Sequence, residues 1–76
     1  MDQERSRTRL AEVMAYRHLT REQLAARSGL SRPTVSLAAA GRPVSFDTWV
    51  RLAETLGVSV AEIAPADVAA RISSVA

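Results

Sequence analysis

The 76-residue chain has no cysteine, so neither a disulfide framework nor a thiolate metal site can support its fold. That suits a reducing cytoplasm, which is the expected compartment. Lysine is absent too: all ten basic residues are arginine, and alanine is abundant. Histidine occurs once, at His18, without the partners that a metal site or a general base needs. One histidine and no cysteine leave the many serines without a nucleophile constellation, so the chain is not expected to be an enzyme. No cofactor and no metal are expected. No apolar stretch approaches the ~18 residues that would span a membrane. The first ten residues carry Asp2, Glu4, Arg5, Arg7 and Arg9 and lack the apolar run of a signal peptide.

What is present is unevenly charged. The net charge of +2 divides into +4 over residues 1–42, where eight Arg face Asp2, Glu4, Glu12 and Glu22, and −2 over residues 43–76, where Arg51 and Arg71 face Asp47, Glu54, Glu62 and Asp67. A polyanion facing the first half would meet a positive field that the overall balance conceals. The plainer reading of the same charges is a solvated surface of mixed sign.

Helical spacing runs through the chain and no strand pattern interrupts it. The first helix is predicted over about residues 4–17, with Leu10, Val13 and Met14 as its buried stripe, Arg7 and Arg17 flanking it, and Asp2 or Ser6 as its cap. Thr20 and Gln23 form a capping box for the second helix, with Leu19 packing back onto Leu24 or Ala25. Ser31 caps the third helix, Pro33 fits its first turn, Gly41 closes it and Pro43 prevents its continuation. Ser45 caps a fourth helix, Phe46 to Leu56, with Trp49, Leu52, Ala53 and Leu56 on one face and Gly57 at its end. At such a stripe position Trp49 is a core residue rather than an interface anchor. Ser59 and Glu62 box the start of a fifth helix, anchored by Val60 and Ile63. Beyond Pro65, residues 66–76 can form one more short helix with Val68, Ile72 and Val75 on a stripe. His18 reads as an exposed loop residue, and Tyr16 as partly packed on the first helix.

The segment from Thr20 to Gly41 carries the sharpest signal. Counting Arg21 as position one, Leu24 is fourth, Ala25 fifth, Gly29 ninth and Val35 fifteenth. Two helices crossing through a tight turn come too close for a bulky residue, and Ala25 fits. Gly29 can take the positive φ that ends a helix, and Leu24, Leu30 and Val35 fill the wedge. This is the helix-turn-helix unit that places its second helix in a DNA major groove.

From Leu19 to Ile63 the chain resembles the lambda repressor/Cro-type helix-turn-helix family of prokaryotes and their phages. The residues that carry the likeness are Leu19–Thr20, Gln23–Ser31, Thr34–Ser36, Gly41 and Ser45–Ile63. The resemblance implies an all-α fold, a compact bundle of five helices, with residues 1–65 as the DNA-binding domain and 66–76 as a tail for packing or dimerisation. It implies phosphate contacts at Thr20 and Arg21 and again at Arg42. Base-reading positions fall on Arg32, Pro33, Ser36 and Leu37, with Ser31 and Thr34 near phosphate or base edges. Arg32 is the best candidate for direct readout, because a guanidinium donates twice to guanine O6 and N7. Leu37 can only touch a thymine methyl or a sugar edge.

Two departures stand out. The family commonly pairs an acidic residue near the end of the third helix with an Arg on the first; here those positions are Ala39 and Met14. An apolar contact there avoids the desolvation cost of a buried ion pair. The run Ala38–Ala39–Ala40 also sends no long polar side chain toward a groove.

The expected function is sequence-specific binding of double-stranded DNA by a small phage or bacterial repressor. It would act by occupying a palindromic operator as a homodimer, with half-sites about one helical turn apart. The dimer surface is expected on exposed residues of the fifth helix and on the tail stripe; the equal alternative is that the stripe folds back on the first helix. No effector domain is expected, and no membrane is a partner. The alternatives are a DNA-binding antitoxin, or a protein-interaction module that kept the fold; the latter is motivated by Ala38–Ala40 and the low net charge.

Overall fold

Each of the first five helices begins on a serine or threonine held in extended backbone, with ψ between 153° and 162°. These short side chains favour the cap because they satisfy amides that a starting helix leaves without acceptors. The computed structural model describes the backbone of residues 8–75 and the side chains of residues 8–70. The described residues form helices α1 (Arg9–Tyr16), α2 (Arg21–Ser28), α3 (Arg32–Ala39), α4 (Phe46–Leu56), α5 (Val60–Ile63) and α6 (Ala66–Val75), with no strand among them.

Three of the helix ends follow one device. At α3, the Gly41 N–H donates to Ala38 C=O at 3.1 Å and the Arg42 N–H to Leu37 C=O at 2.9 Å, with Gly41 at φ +78°. This is the Schellman closure, in which a left-handed residue turns the chain back over the last carbonyls. Helix α4 ends the same way on Gly57, where Val58 donates to Ala53 C=O at 3.0 Å. Helix α1 repeats it without glycine. His18 sits at φ +57°, and Leu19 donates to Met14 C=O at 2.8 Å.

The core is one cluster contributed by every helix through α5. Leu10 and Met14 come from α1, Leu24 and Ala25 from α2, and Val35, Ala38 and Ala39 from α3. Trp49, Leu52, Ala53 and Leu56 come from α4, Ile63 from α5, and Ala64 closes it. Trp49, only 2% exposed, is the largest of them. Val13, Leu19, Leu30, Val44, Val58, Val60 and Val68 pack around its edge. Truncating a fully buried leucine such as Leu24 or Leu52 to alanine costs ~2–5 kcal/mol, a large part of the ~5–15 kcal/mol that holds a domain together.

Four expectations change. The first helix does not run unbroken from residue 4: Thr8 is extended (φ −76°, ψ 162°) and its hydroxyl caps α1 by accepting from Ala11 N–H at 3.0 Å. Residues 2–7, with the expected helix start and the caps Asp2 and Ser6, lie outside the described residues, as does Arg7. Tyr16 is not packed on α1; it is 86% exposed because it falls off the Leu10–Met14 stripe. Ala38 does not face a groove: it is buried against the core, as is Ala39, where an interior contact with Met14 is expected, so their small size is a packing requirement, and only Ala40 of the run is exposed. Helix α6 forms, but Val68 from its stripe is half-buried beside Val44, Trp49 and Pro65. The side chains of Ile72 and Val75 lie outside the described residues.

Candidate nucleic-acid interface

Helices α2 and α3 meet through Gly29, Leu30 and Ser31. Gly29 is left-handed at φ +76° and its N–H donates to Ala25 C=O at 3.0 Å. The Ser28 hydroxyl donates to the same carbonyl at 3.3 Å and accepts from the Leu30 N–H at 3.3 Å, which fixes the turn. Ala25 is buried where the helices approach, and Val35 is wholly buried beneath them. The turn therefore holds α3 against α2 with one face left outward.

That outward face is set by helical period. Val35, Ala38 and Ala39 point into the core. Arg32, Pro33 and Leu37 are exposed and Ser36 is half-buried, at the complementary positions of the same turns. Leu37 is 45% exposed, an apolar side chain left in water on an otherwise short helix. Ser31 and Thr34 are occupied with the cap: the Ser31 hydroxyl accepts from Thr34 N–H at 3.2 Å, and the two hydroxyls share a hydrogen bond at 2.7 Å. Their capacity for an outside ligand is correspondingly reduced.

At the start of α2 the capping box is complete. The Gln23 N–H donates to Thr20 Oγ1 at 3.1 Å, and the Thr20 N–H donates to Gln23 Oε1 at 2.9 Å. The Thr20 hydroxyl proton finds no acceptor among the described residues, and the amides of Arg21 and Glu22 open the helix toward solvent. Such an end attracts anions through free amides and the helix dipole. Arg21, in the first helical position, is exposed there. Arg42 is exposed just beyond the Schellman closure of α3 and borders a recess with Pro43, Val44, Trp49 and Asp67.

Among the described residues the arginines divide into two sets. Arg9 donates to Ala61 C=O at 3.1 Å, Arg17 donates to the Leu56 carbonyl at the end of α4, and Arg51 lies 3.6 Å from Asp47. The guanidiniums of Arg21, Arg27, Arg32 and Arg42 have no hydrogen bond or ion pair with the described residues. All four belong to the helix-turn-helix or its immediate exit. Arg27 was not among the site residues expected from sequence. Its place in the last turn of α2 has a local reason, since a cation there complements the helix dipole.

A bundle that presents the second helix of a helix-turn-helix outward, flanked by unpaired guanidiniums, defines a DNA-binding domain of regulatory type. The helix-turn-helix family model matches residues 6–63, and the chain belongs to that family, in its lambda repressor/Cro type. It is a DNA-binding helix-turn-helix regulator, and its DNA partner is double-stranded. No curated protein and no solved structure matches the chain at a significant level. Among the described residues no helix is long and apolar enough to cross a membrane.

Proposed function

We propose that this regulator is a small repressor of bacterial or phage origin that works by occupying an operator and excluding polymerase. The observation that carries the reading is the set of unpaired guanidiniums on the helix-turn-helix. Cations held free of internal partners are available to phosphate and base, whereas the other arginines among the described residues, Arg9, Arg17 and Arg51, are engaged with carbonyls and with Asp47.

In this reading Arg21, with the Thr20 hydroxyl and the α2 amides, holds one phosphate, and Arg42 holds another. Arg32 donates to a guanine edge. Pro33, Ser36 and Leu37 face neighbouring bases, Leu37 against a thymine methyl, and Ser31 and Thr34 line the edge of the contact. A single outward face this short reads few base pairs, so two copies would bind a two-fold operator with half-sites about one helical turn apart. Shape readout would supplement Arg32 and Ser36.

The burial of Ala38 and Ala39 removes one motive for a protein-interaction module, since those residues never had a groove to face. Electrophoretic mobility shifts against random and selected DNA over a salt series test the reading. Affinity should fall steeply as salt rises, and a selected pool should yield a two-fold consensus. Binding that ignores salt, or a pool that stays random, would reject it.

A further inference from the structure

A guanidinium and a carboxylate line one recess without pairing. Arg42, just past the end of α3, and Asp67, in the first turn of α6, both border a recess of about 210 Å³. No ion pair joins them, and neither charged group has another partner among the described residues. The rest of the recess is largely apolar. Val44, Pro65 and Val68 are half-buried in its walls, and the buried Trp49 closes its floor.

The backbone holds the two charges at separate stations. The Arg42 N–H donates to Leu37 C=O at 2.9 Å, and Pro43 follows with its φ fixed, so the chain leaves α3 on one course. Across the recess, the N–H groups of Val68 and Ala69 both donate to Pro65 C=O at 3.0 Å, which sets the first turn of α6 with Asp67 in it. An acid in that turn complements the helix dipole, which accounts for Asp67 taken alone. It does not account for a free guanidinium on the same recess, with apolar walls beside both.

Two unlike charges that do not meet, over an apolar floor, match a small molecule that carries both charges and an apolar body. A simple anion would find Asp67 repelling it, and a simple cation would find Arg42. A free α-amino acid offers its carboxylate to the fork of Arg42, its ammonium to Asp67 and its side chain to Val44, Val68 and Trp49. The volume lies below the ~300–1,000 Å³ of pockets for larger ligands, so that side chain is small and aliphatic. We infer that this recess binds a free α-amino acid with a branched aliphatic side chain. One consequence rests on the DNA-binding reading above. The Arg42 guanidinium cannot hold a phosphate and the amino-acid carboxylate together, so each ligand weakens the other by the same factor.

An NMR titration of the isotope-labelled, DNA-free chain with L-leucine tests the site, and keeps its failure separate from any failure to bind DNA. The Trp49 indole N–H and the methyls of Val44 and Val68 should shift saturably, with a Kd of about 1 mM or tighter. Isocaproate, which is leucine without its ammonium, and isoamylamine, which lacks the carboxylate, should each bind roughly tenfold more weakly or worse. Arg42→Gln and Asp67→Asn should each cost roughly tenfold as well, with the helical circular dichroism unchanged, since neither charged group has a partner within the fold. Absence of saturable shifts with both L-leucine and L-valine at about 20 mM overturns the inference. So does either truncated analogue binding as tightly as leucine, or leucine binding equally to the native chain and to both variants. In a DNA titration, leucine at ten times its Kd should raise the apparent Kd for DNA about tenfold. Asp67→Asn should bind DNA at least as tightly as the native chain and lose most of that response. Native DNA affinity that saturating leucine leaves unmoved overturns the mutual exclusion.

Discussion

The hydroxyl of Thr8 joins the start of α1 to the end of α3: it accepts from Ala11 N–H at 3.0 Å and donates to Ala39 C=O at 2.7 Å. One side chain thus caps one helix and satisfies a carbonyl of another, 31 residues away. Its methyl also bounds Gly41, where an added Cβ would come within 3.1 Å of Thr8 Cγ2. The end of the proposed recognition helix is therefore clamped by the residue that opens α1. Thr8→Val keeps the shape and loses both bonds, and should destabilise by about 2 kcal/mol, while Thr8→Ser should stay within ~0.5 kcal/mol of the native chain. Urea denaturation monitored by Trp49 fluorescence measures both. Equal stability of the valine and serine variants would show that the hydroxyl bonds contribute nothing.

His18 holds the left-handed position that closes α1 at φ +57°. A non-glycine residue there carries a steric cost of ~1–2 kcal/mol, which glycine relieves, while the extra freedom of glycine in the unfolded chain returns ~0.4–1 kcal/mol of it. His18→Gly is expected to raise stability by about 0.5 kcal/mol, and His18→Val, with a branched Cβ, to lower it. A thermal melt showing valine tolerated as well as glycine would mean that the turn relaxes out of the left-handed region.

Much of this architecture was legible because short-range chemistry decides it. Thr20 with Gln23, Ser31 before Pro33, Ser45, and Ser59 with Glu62 mark helix starts by local hydrogen bonds, and all four starts stand in the structure. Gly29, Gly41 and Gly57 mark the turns for the same reason. The errors fall where a distant partner chooses among local equals. Asp2, Ser6 and Thr8 are all competent caps, and the Ala39 carbonyl that favours Thr8 is remote in sequence. His18 carries no turn signal of its own. The plain run Ala38–Ala40 reads equally as a bare groove face or a tight core face until α1 and α4 are seen packed on it. Which arginines are free and which are spent on the Leu56 and Ala61 carbonyls follows from tertiary contacts alone.

Arg32 and Arg21 should separate base reading from phosphate binding. Both are exposed and free of internal partners, so neither substitution should disturb the fold. Arg32→Ala should cost ~1–3 kcal/mol on the preferred site and relax selectivity at one base position. Arg21→Ala should weaken every sequence alike and lower the salt slope by about one unit. Titrations of both variants on specific and random DNA give the comparison. Equal losses on both DNAs for Arg32→Ala would remove it from the base-reading role.

Met14 and Ala39 line one shallow recess together with Ala11, Ala15, Leu19, Thr20 and Arg21, and each is 6% exposed. The small alanines leave the space in which the family commonly sets an ion pair. Restoring only one partner places a charge in this wall without the counterpart across it: Met14→Arg should destabilise by roughly 3 kcal/mol, and Ala39→Glu by less, because Arg21 lines the same recess. Arg21 at the rim offers the new carboxylate a second partner, so Ala39→Glu should also weaken DNA binding by drawing that guanidinium away from phosphate. The double variant should recover a measurable part of the stability loss, with a coupling of ~1 kcal/mol or more from a double-mutant cycle. It should recover DNA affinity as well, since the guanidinium introduced at position 14 would then hold the carboxylate and release Arg21. Strictly additive losses in stability would show that positions 14 and 39 do not meet across the recess.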